Sequence, residues 1–427
     1  MKREINIGLI GYGTVGSGVY KVLESKQEYF TKRIGINYRI KYVCDVRKEI
    51  KEQIDTNKTK FTENYKDIIK DETIDIVVEL IGGIEPAKTI ILEAIKNKKN
   101  VVTANKALLS LHWLEIYEAA KQNNVNVLFE ASVAGAIPIL DSLKYNLSAN
   151  NISAIYGIIN GTCNYILTRM SKENIKFKEA LKSAQQKGFA EADPTYDIEG
   201  FDSQQKLTLL ILLGFGSFIN REKILCEGIS KVSLDDIIFG KELDFEMKLL
   251  AIAKLKNNKI EARVHPTFIN KKSVLASVSY EDNAVFVEGD LINRMTFHGK
   301  GAGSLPTASA VISDIFEIAR LTNNNNFYNN IISNYEVLDK DEIESEYYFH
   351  FSVVDKPGVL AKITSVLGAN NISISQVIQK QSDNNQYVPI IMLTHLAKEK
   401  NVNESIKIIN KLDCVKKETI IYRVEKF

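Results

Sequence analysis

The chain has 427 residues, enough for two to three domains of ordinary size. Hydrophobic residues make up 45% and charged residues 25%, and 55 Lys plus Arg against 53 Asp plus Glu leave a net charge of +2, a balance that argues against a dedicated nucleic-acid binder. The five His (His112, His265, His298, His350, His395) and four Cys (Cys44, Cys163, Cys226, Cys414) are scattered, which excludes a disulfide framework and a zinc module and fits a reducing cytoplasm.

The first apolar stretch, residues 5–10, is too short for a signal-peptide core. The longest apolar run, residues 207–219, falls short of the about 20 residues that cross a bilayer and reads as a buried helix. The expected location is therefore cytoplasmic, with neither membrane nor nucleic acid as partner. Residues 5–10 read as a strand, 14–25 as a helix, 38–44 and 74–80 as strands, 86–96 as a helix, 101–103 as a strand, 113–122 as a helix and 125–130 as a strand. That alternation indicates a parallel, doubly wound sheet.

From about residue 138 the rhythm changes. Helix is expected over 138–147 and 162–171, strand over 152–159, an acidic loop over 191–202, and an apolar helix after Ser203. Further strands are expected over 262–264, 274–280 and 284–288, and a Gly-rich segment, 298–304, leads into a helix over 307–321. This is a second domain of α+β character. An Asn-rich, acidic stretch over 323–345 has no apolar period and reads as a linker. After it come a strand (347–354), a helix from Pro357, strands over 372–379 and 387–394 joined by an Asp383-Asn384-Asn385 turn, a helix (402–412) and a strand (415–424). The order βαββαβ is a ferredoxin-like module of about 80 residues, a size that folds alone.

Gly11-Tyr12-Gly13-Thr14-Val15-Gly16 is a GxGxxG between a strand and a helix. Glycines there allow a tight turn and close approach to a pyrophosphate, and the helix N-terminus offers N–H groups to its charge. Gly11, Gly13, Thr14, Val15 and Gly16 are thus candidate cofactor contacts. At the second strand's end, Asp45 would accept from a ribose 2′-hydroxyl and favour NAD, whereas Arg47 or Lys48 would neutralise a 2′-phosphate and favour NADP. Lys106 follows a strand end, where ligands bind in such sheets, although a surface Lys there is as common. The segment 188–202 is rich in carboxylates, and Asp202 lies four residues before Lys206, on one helix face. A Lys at the edge of an apolar helix can be desolvated and tuned for proton transfer, against the plainer reading of a snorkelling side chain beside a solvated loop. Glu130 followed by a small-residue loop offers oxygens to a hard cation or is simply a tight turn. Cys163, in Asn160-Gly161-Thr162-Cys163, could be an acylating thiolate, but no sequence neighbour offers a base, so a buried structural Cys is favoured.

Together these segments resemble the homoserine dehydrogenase family in the form that carries a C-terminal ACT domain. The stretches that carry the likeness are 8–18, 102–106, 129–135, 160–165, 190–194 with Asp202 and Lys206, and 301–307, in family order, while Asp355-Lys356-Pro357-Gly358-Val359-Leu360 resembles an ACT turn. The resemblance implies a Rossmann domain over 1–137 completed by the helix 307–321, a catalytic and dimerisation domain over 138–322, the linker 323–345 and an ACT domain over 346–427. It implies reversible reduction of L-aspartate 4-semialdehyde to L-homoserine by NAD(P)H. By the same resemblance Lys206 donates the proton and Lys106 lies beside nicotinamide and substrate. Glu191 and Asp202 hold the substrate amino group, Asp197 adds a substrate contact, and Gly188 and Gly303 line the cofactor site. Glu130 and the carbonyls of Val133, Gly135 and Ile137 resemble a sodium site. Asp355 and Gly358, at a helix start, are where an amino-acid effector, threonine by expectation, would bind. A homodimer or homotetramer is expected. Two departures stand out: Cys163 replaces a usual Thr, and Cys44 replaces an Arg that often meets the 2′-phosphate, for which Lys48, Lys58 or Lys60 could substitute. NADP is placed ahead of NAD on the resemblance alone. The competing readings are an acylating semialdehyde dehydrogenase using Cys163 and a non-catalytic NAD(P)-sensing regulator.

Overall fold

The computed structural model describes residues 4–321, 333–379 and 387–427. The turn expected at residues 383–385 and the first part of the expected linker lie outside the described residues. Along the N-terminal third the elements are β1 (Glu4–Ile10), α1 (Thr14–Ser25), α2 (Gln27–Ile34), β2 (Asn37–Cys44), β3 (Lys60–Thr62), α3 (Lys66–Ile69), β4 (Ile76–Glu79), α4 (Ala87–Lys96), β5 (Asn100–Thr103), α5 (Lys106–Asn123) and β6 (Val127–Leu128). There follow α6 (Ile139–Asp141), β7 (Ile152–Ile158), α7 (Gly161–Glu173), α8 (Phe177–Gln186), α9 (Thr195–Ile198), α10 (Phe201–Phe215), β8 (Leu225–Cys226) and α11 (Leu234–Glu242). Next are β9 (Phe245–Lys256), β10 (Lys259–Asn270), β11 (Asp282–Gly289), β12 (Asn293–Lys300) and α12 (Ser304–Arg320). The C-terminal part holds β13 (Glu336–Val337), β14 (Glu344–Val353), α13 (Val359–Ala369), β15 (Ile374–Gln379), β16 (Val388–Thr394), β17 (Ala397–Lys398), α14 (Glu399–Ile409) and β18 (Ile420–Glu425).

The chain divides into two compact units, the first made of residues 1–160, 202–223 and 282–335 and the second of 161–201, 224–281 and 336–427. In the first unit a six-stranded parallel sheet runs β3-β2-β1-β4-β5-β6, the doubly wound order that changes direction beside β1. β4 is buried along its whole length, as a strand covered on both faces must be, which is why Ile76, Val77 and Val78 form an apolar run before the buried Glu79. One face of the sheet is covered by α1 and α12, whose Val311, Ile315 and Phe316 join Val19, Leu23 and Tyr38 in one core. Phe316 meets Phe30 at 5.1 Å and Tyr38 at 5.8 Å between ring centres. A Cβ on Gly18 would lie 2.5 Å from Ser304 Oγ, so that glycine lets the two helices close. The same unit holds the antiparallel ladder β7-β11-β12.

In the second unit β9 and β10, twelve residues each, pair antiparallel over their full length. β10 also pairs in parallel with β18, and β18-β14-β16-β15 completes the βαββαβ sheet over α13 and α14. Two buried arginines fix that join. Arg263 bonds Glu425 at 2.6 Å, and Arg423 bonds Glu399 at 2.5 Å and Glu227 at 2.8 Å. Paired, forked bonds of this kind are costly to mismatch and so hold a register.

Several expected elements differ. Residues 274–280 are not a strand: Val274–Ser277 is a short 3-10 turn that buries Leu275 and Val278, three apart. The acidic loop 191–202 contains α9 and the start of α10. The strand expected over 125–130 stops at Leu128, and Glu130–Ser132 is a 3-10 turn. The expected linker already carries β13, which pairs with β10, and its last two residues begin β14.

Candidate functional site

At the carboxyl end of β1 the chain turns through Gly11, whose φ is +97°. A Cβ there would sit 2.7 Å from the Leu80 backbone, and one on Gly16 would sit 2.0 Å from the Gly11 carbonyl. A Cβ on Gly13 would meet nothing within 4 Å. Two of the glycines therefore let the turn and helix close, and the third opens its backbone to a ligand, the arrangement that receives a pyrophosphate at the N-terminus of α1. Thr14 and Val15 begin that helix, and the Thr14 carbonyl accepts from Ser304 Oγ at 2.7 Å.

Asp45 and Arg47 are locked together beside this turn. Asp45 Oδ2 accepts from the Tyr12 N–H at 2.8 Å and Oδ1 from Arg47 Nε at 2.9 Å, while Arg47 Nη2 donates to the Tyr12 carbonyl at 3.1 Å. Bonding to Arg47, helped by Tyr12 and opposed by partial burial, holds the Asp45 carboxyl down at about 2. Arg47 is 48% exposed, so a guanidinium faces solvent from a fixed seat on the glycine turn. Cys44, by contrast, is buried, and burial pushes its thiol up to about 12. Lys48 lies 3.7 Å from Glu63, and Lys58 lies 3.7 Å from Asp55.

Deeper in the same unit, three elements converge on Asp202. Asn105 caps α5 by accepting from Leu108 N–H at 3.1 Å, which makes Lys106 the first residue of that helix, just past the end of β5. Lys106 Nζ lies 3.3 Å from Asp202 Oδ1. Lys206, one turn along α10, donates to Asp202 Oδ2 at 2.7 Å and to the Ile159 carbonyl at 2.7 Å. Asn160 Nδ2 donates to the same Oδ2 at 2.9 Å. Asp202 is 5% exposed; burial alone would raise its carboxyl, but the charges of Lys206 and Lys106 outweigh burial and hold it at about 2. Two ammonium groups share one carboxylate at the C-terminal end of a parallel sheet, an arrangement suited to stabilising an oxygen on which negative charge grows.

A polar relay beneath Lys106 could not be read from the sequence. Glu79, fully buried at the end of β4, accepts from Ile81 N–H at 2.9 Å and from Thr103 Oγ1 at 2.7 Å. Thr103 Oγ1 in turn accepts from Asn105 N–H at 3.0 Å, and Asn105 Nδ2 donates to the Gly83 carbonyl at 2.7 Å. The relay ties the loop after β4 to the cap that carries Lys106. Its only sequence signal is a Glu inside an apolar strand. Asn160 is likewise unmarked in the sequence, since its partner Asp202 lies 42 positions away.

The remaining expected residues stand as follows. Glu191 and Gly188 are exposed in the second unit, Gly188 with φ +74°. Asp197, also there, accepts from Thr162 Oγ1 at 3.1 Å. Gly303, φ +121°, precedes α12 in the first unit. Cys163 is fully buried and its Sγ lies 3.1 Å from the Asp197 carbonyl, a packed structural thiol rather than an exposed nucleophile. Glu130 is 3% exposed; its carboxylate accepts from Leu140 N–H at 3.1 Å and Asp141 N–H at 2.6 Å. Burial, then the Asp141 charge, pushes the Glu130 carboxyl above the usual carboxylate range. Between Val133 and Ile137 the chain passes two consecutive left-handed residues, Ala134 at φ +53° and Gly135 at φ +54°. Asp355 faces Gln379 at 3.4 Å, and Gly358, φ +88°, caps α13 with nothing near its Cβ position.

Comparison with known proteins adds three matches to described families. Residues 11–130 match the NAD binding domain of homoserine dehydrogenase, residues 138–316 match homoserine dehydrogenase itself, and residues 348–414 match the ACT domain. A homoserine dehydrogenase of Neisseria gonorrhoeae is 41% identical over 431 residues, covering 99% of each chain. The crystal structure of a homoserine dehydrogenase from Thiobacillus denitrificans superposes with a TM-score of 0.94 at 40% identity, covering 100% of this chain and 99% of that one. A hyperthermophilic archaeal homoserine dehydrogenase in complex with NADPH covers 75% of this chain and 99% of its own, with a TM-score of 0.64 and 26% identity.

Proposed function

Because the chain belongs to the homoserine dehydrogenase family, NAD(P)-dependent oxidoreductases, we propose that Lys206 is the acid of its reaction and that Asp202 and Lys106 set it in place. The reaction is the reversible reduction of L-aspartate 4-semialdehyde to L-homoserine. The nicotinamide, when bound along the glycine turn, supplies the hydride that adds to the aldehyde carbon. Lys206 gives a proton to the carbonyl oxygen as that bond forms and is left neutral; in the reverse direction neutral Lys206 takes the hydroxyl proton. Two of its three N–H donors are committed to Ile159 O and Asp202, which leaves the third to offer the substrate oxygen. Lys106 adds a second positive charge, and Glu191, Asp197 and Asp202 are the carboxylates proposed to hold the substrate. The observation that carries this reading is the convergence of both lysines on one buried carboxylate. Oxidation of L-homoserine followed by NAD(P)H absorbance tests it, since near-normal turnover of a folded Lys206→Ala variant would remove Lys206 from the mechanism.

Gly11, Gly13, Thr14, Val15, Gly16, Lys106, Gly188 and Gly303 are the proposed cofactor contacts, and NADP is the proposed cofactor ahead of NAD. Arg47 supports this choice: held by Asp45 on the glycine turn, it is the cation suited to a 2′-phosphate, so the buried Cys44 need not be. A kcat/KM favouring NADH would reverse the order. A sodium ion is proposed at the loop 130–137. The left-handed pair Ala134–Gly135 turns the chain sharply between Val133 and Ile137, the kind of backbone turn whose carbonyls serve hard cations, and this supports the reading. The Glu130 carboxylate is already taken by backbone donors, so its part would be the carbonyl.

The matched segments support a division into 1–137 with the helix 307–321, 138–322, a linker over 323–345, and 346–427. The ACT domain is consistent with feedback by an amino acid. Threonine is proposed, bound near Asp355 and Gly358, in a cytoplasmic homodimer or homotetramer. Titration of activity with L-threonine tests this, and a flat curve overturns it.

A further inference from the structure

We propose that Asp141, Asp314 and Glu317 form a binding site for a hard divalent cation of calcium's size, distinct from the carbonyl loop proposed for sodium. The three side chains come from the end of α6 and one face of α12, both in the first unit. Each offers a carboxylate oxygen, and these oxygens lie within 4.8 Å of one another. Calcium takes oxygens at about 2.3–2.6 Å, so donors on opposite sides of it stand up to about 5 Å apart; magnesium, at about 2.1 Å, needs a tighter ring.

The independent sign of a ligand is Asp314. It is 1% exposed, its Oδ2 accepts from the Glu130 N–H at 3.0 Å, and its Oδ1 is buried with no hydrogen-bond partner. A buried carboxylate oxygen without a donor is costly unless a proton, a water or a cation meets it. The surroundings favour a cation. Glu130 adds a fourth carboxylate beside Asp141, and the opposing charge in the cluster is Lys144, whose Nζ lies 3.1 Å from Glu317 Oε1. Tyr145 OH also bonds Glu317 Oε1. The charge of Lys144 also acts on Asp141, so this ammonium is shared among carboxylates that outnumber it, Glu130, Asp141, Asp314 and Glu317. Donors that are all carboxylate oxygen select calcium-like ions over softer metals. This site does not depend on the catalytic roles given to Lys206 and Lys106, and its test reads binding rather than turnover.

The full-length enzyme is freed of metal with a chelator, dialysed, and titrated separately with CaCl2, MgCl2 and NaCl by calorimetry and thermal unfolding. The expected result is one-site calcium binding with a Tm rise of several degrees, a smaller rise with magnesium, and at least a tenfold loss of calcium affinity in Asp141→Asn and Asp314→Asn. Glu317→Gln, on a partly exposed residue, serves if Asp314→Asn fails to fold. No calcium binding by the wild-type chain would overturn the proposal, leaving a shared proton as the cluster's occupant. So would calcium binding undiminished in the variants, or a shift that NaCl reproduces and competes for, which would assign the effect to the carbonyl loop.

Discussion

Two aspartates of the first unit, Asp202 and Asp314, are almost equally buried and behave in opposite ways. Asp202 sits between two ammonium groups and an amide and stays ionised, held at about 2. Asp314 sits among Glu130, Asp141 and Glu317 and is pushed well up. Burial raises both; what differs is the sign of the charge beside them. Desolvation thus sets how much a neighbour matters, and the neighbour sets the direction. The contrast also separates chemistry from structure, since the ionised aspartate orients two lysines and the other holds a loop to a helix.

The sharpest way to break the comparison is at Lys206. Lys206→Ala removes the proposed acid and one of the charges that keep Asp202 ionised, and turnover should fall by roughly 10²–10⁴-fold with NADPH binding retained; steady-state kinetics and fluorescence titration of the cofactor check both halves. Asp202→Asn should cost about 10²-fold in kcat, because both lysines lose their shared anchor. The same aspartate carries a pH signature. Its folded carboxyl lies below its unfolded value, so its stabilisation of about 2 kcal/mol is complete above pH 5 and is lost as pH falls toward 2. Denaturant curves for wild type and Asp202→Asn should therefore converge at acid pH. Asp314→Asn tests the other limb: in metal-free buffer at pH 8 it removes a carboxyl whose ionisation the fold disfavours, and stability should rise, a gain that vanishes below pH 4. The smallest effect belongs to the exposed case between them. Arg47→Ala takes away the partner of Asp45 and should weaken kcat/KM for NADPH by about tenfold while sparing NADH.

Much of this was legible from one sequence, for reasons particular to each part. Gly11 to Gly16 could be read because a strand, three glycines and a helix must be contiguous to receive a phosphate. Asp202 and Lys206 could be read because four residues make one helical turn. Asp314 could not, since it meets Glu130 across 184 positions and nothing local marks it. β9 carries no strand signature, because residues 245–256, buried along most of their length, show no alternation and resemble a helix as much as a strand. The opposite error, a strand expected over 274–280, arose because Leu275 and Val278 mimic a strand's apolar content while turning on a helical period.

The place of α12 has a consequence for how the chain is made. The sheet that receives the cofactor is built from the first 128 residues, yet part of its core, including Val311, Ile315 and Phe316, arrives almost two hundred residues later. A ribosome must therefore release nearly three quarters of the chain before the nucleotide-binding half can close over Tyr38 and Leu23. Until then that apolar face waits uncovered, so synthesis rate and chaperone capture bear on yield at this step, and a fragment ending near residue 140 should aggregate rather than bind cofactor.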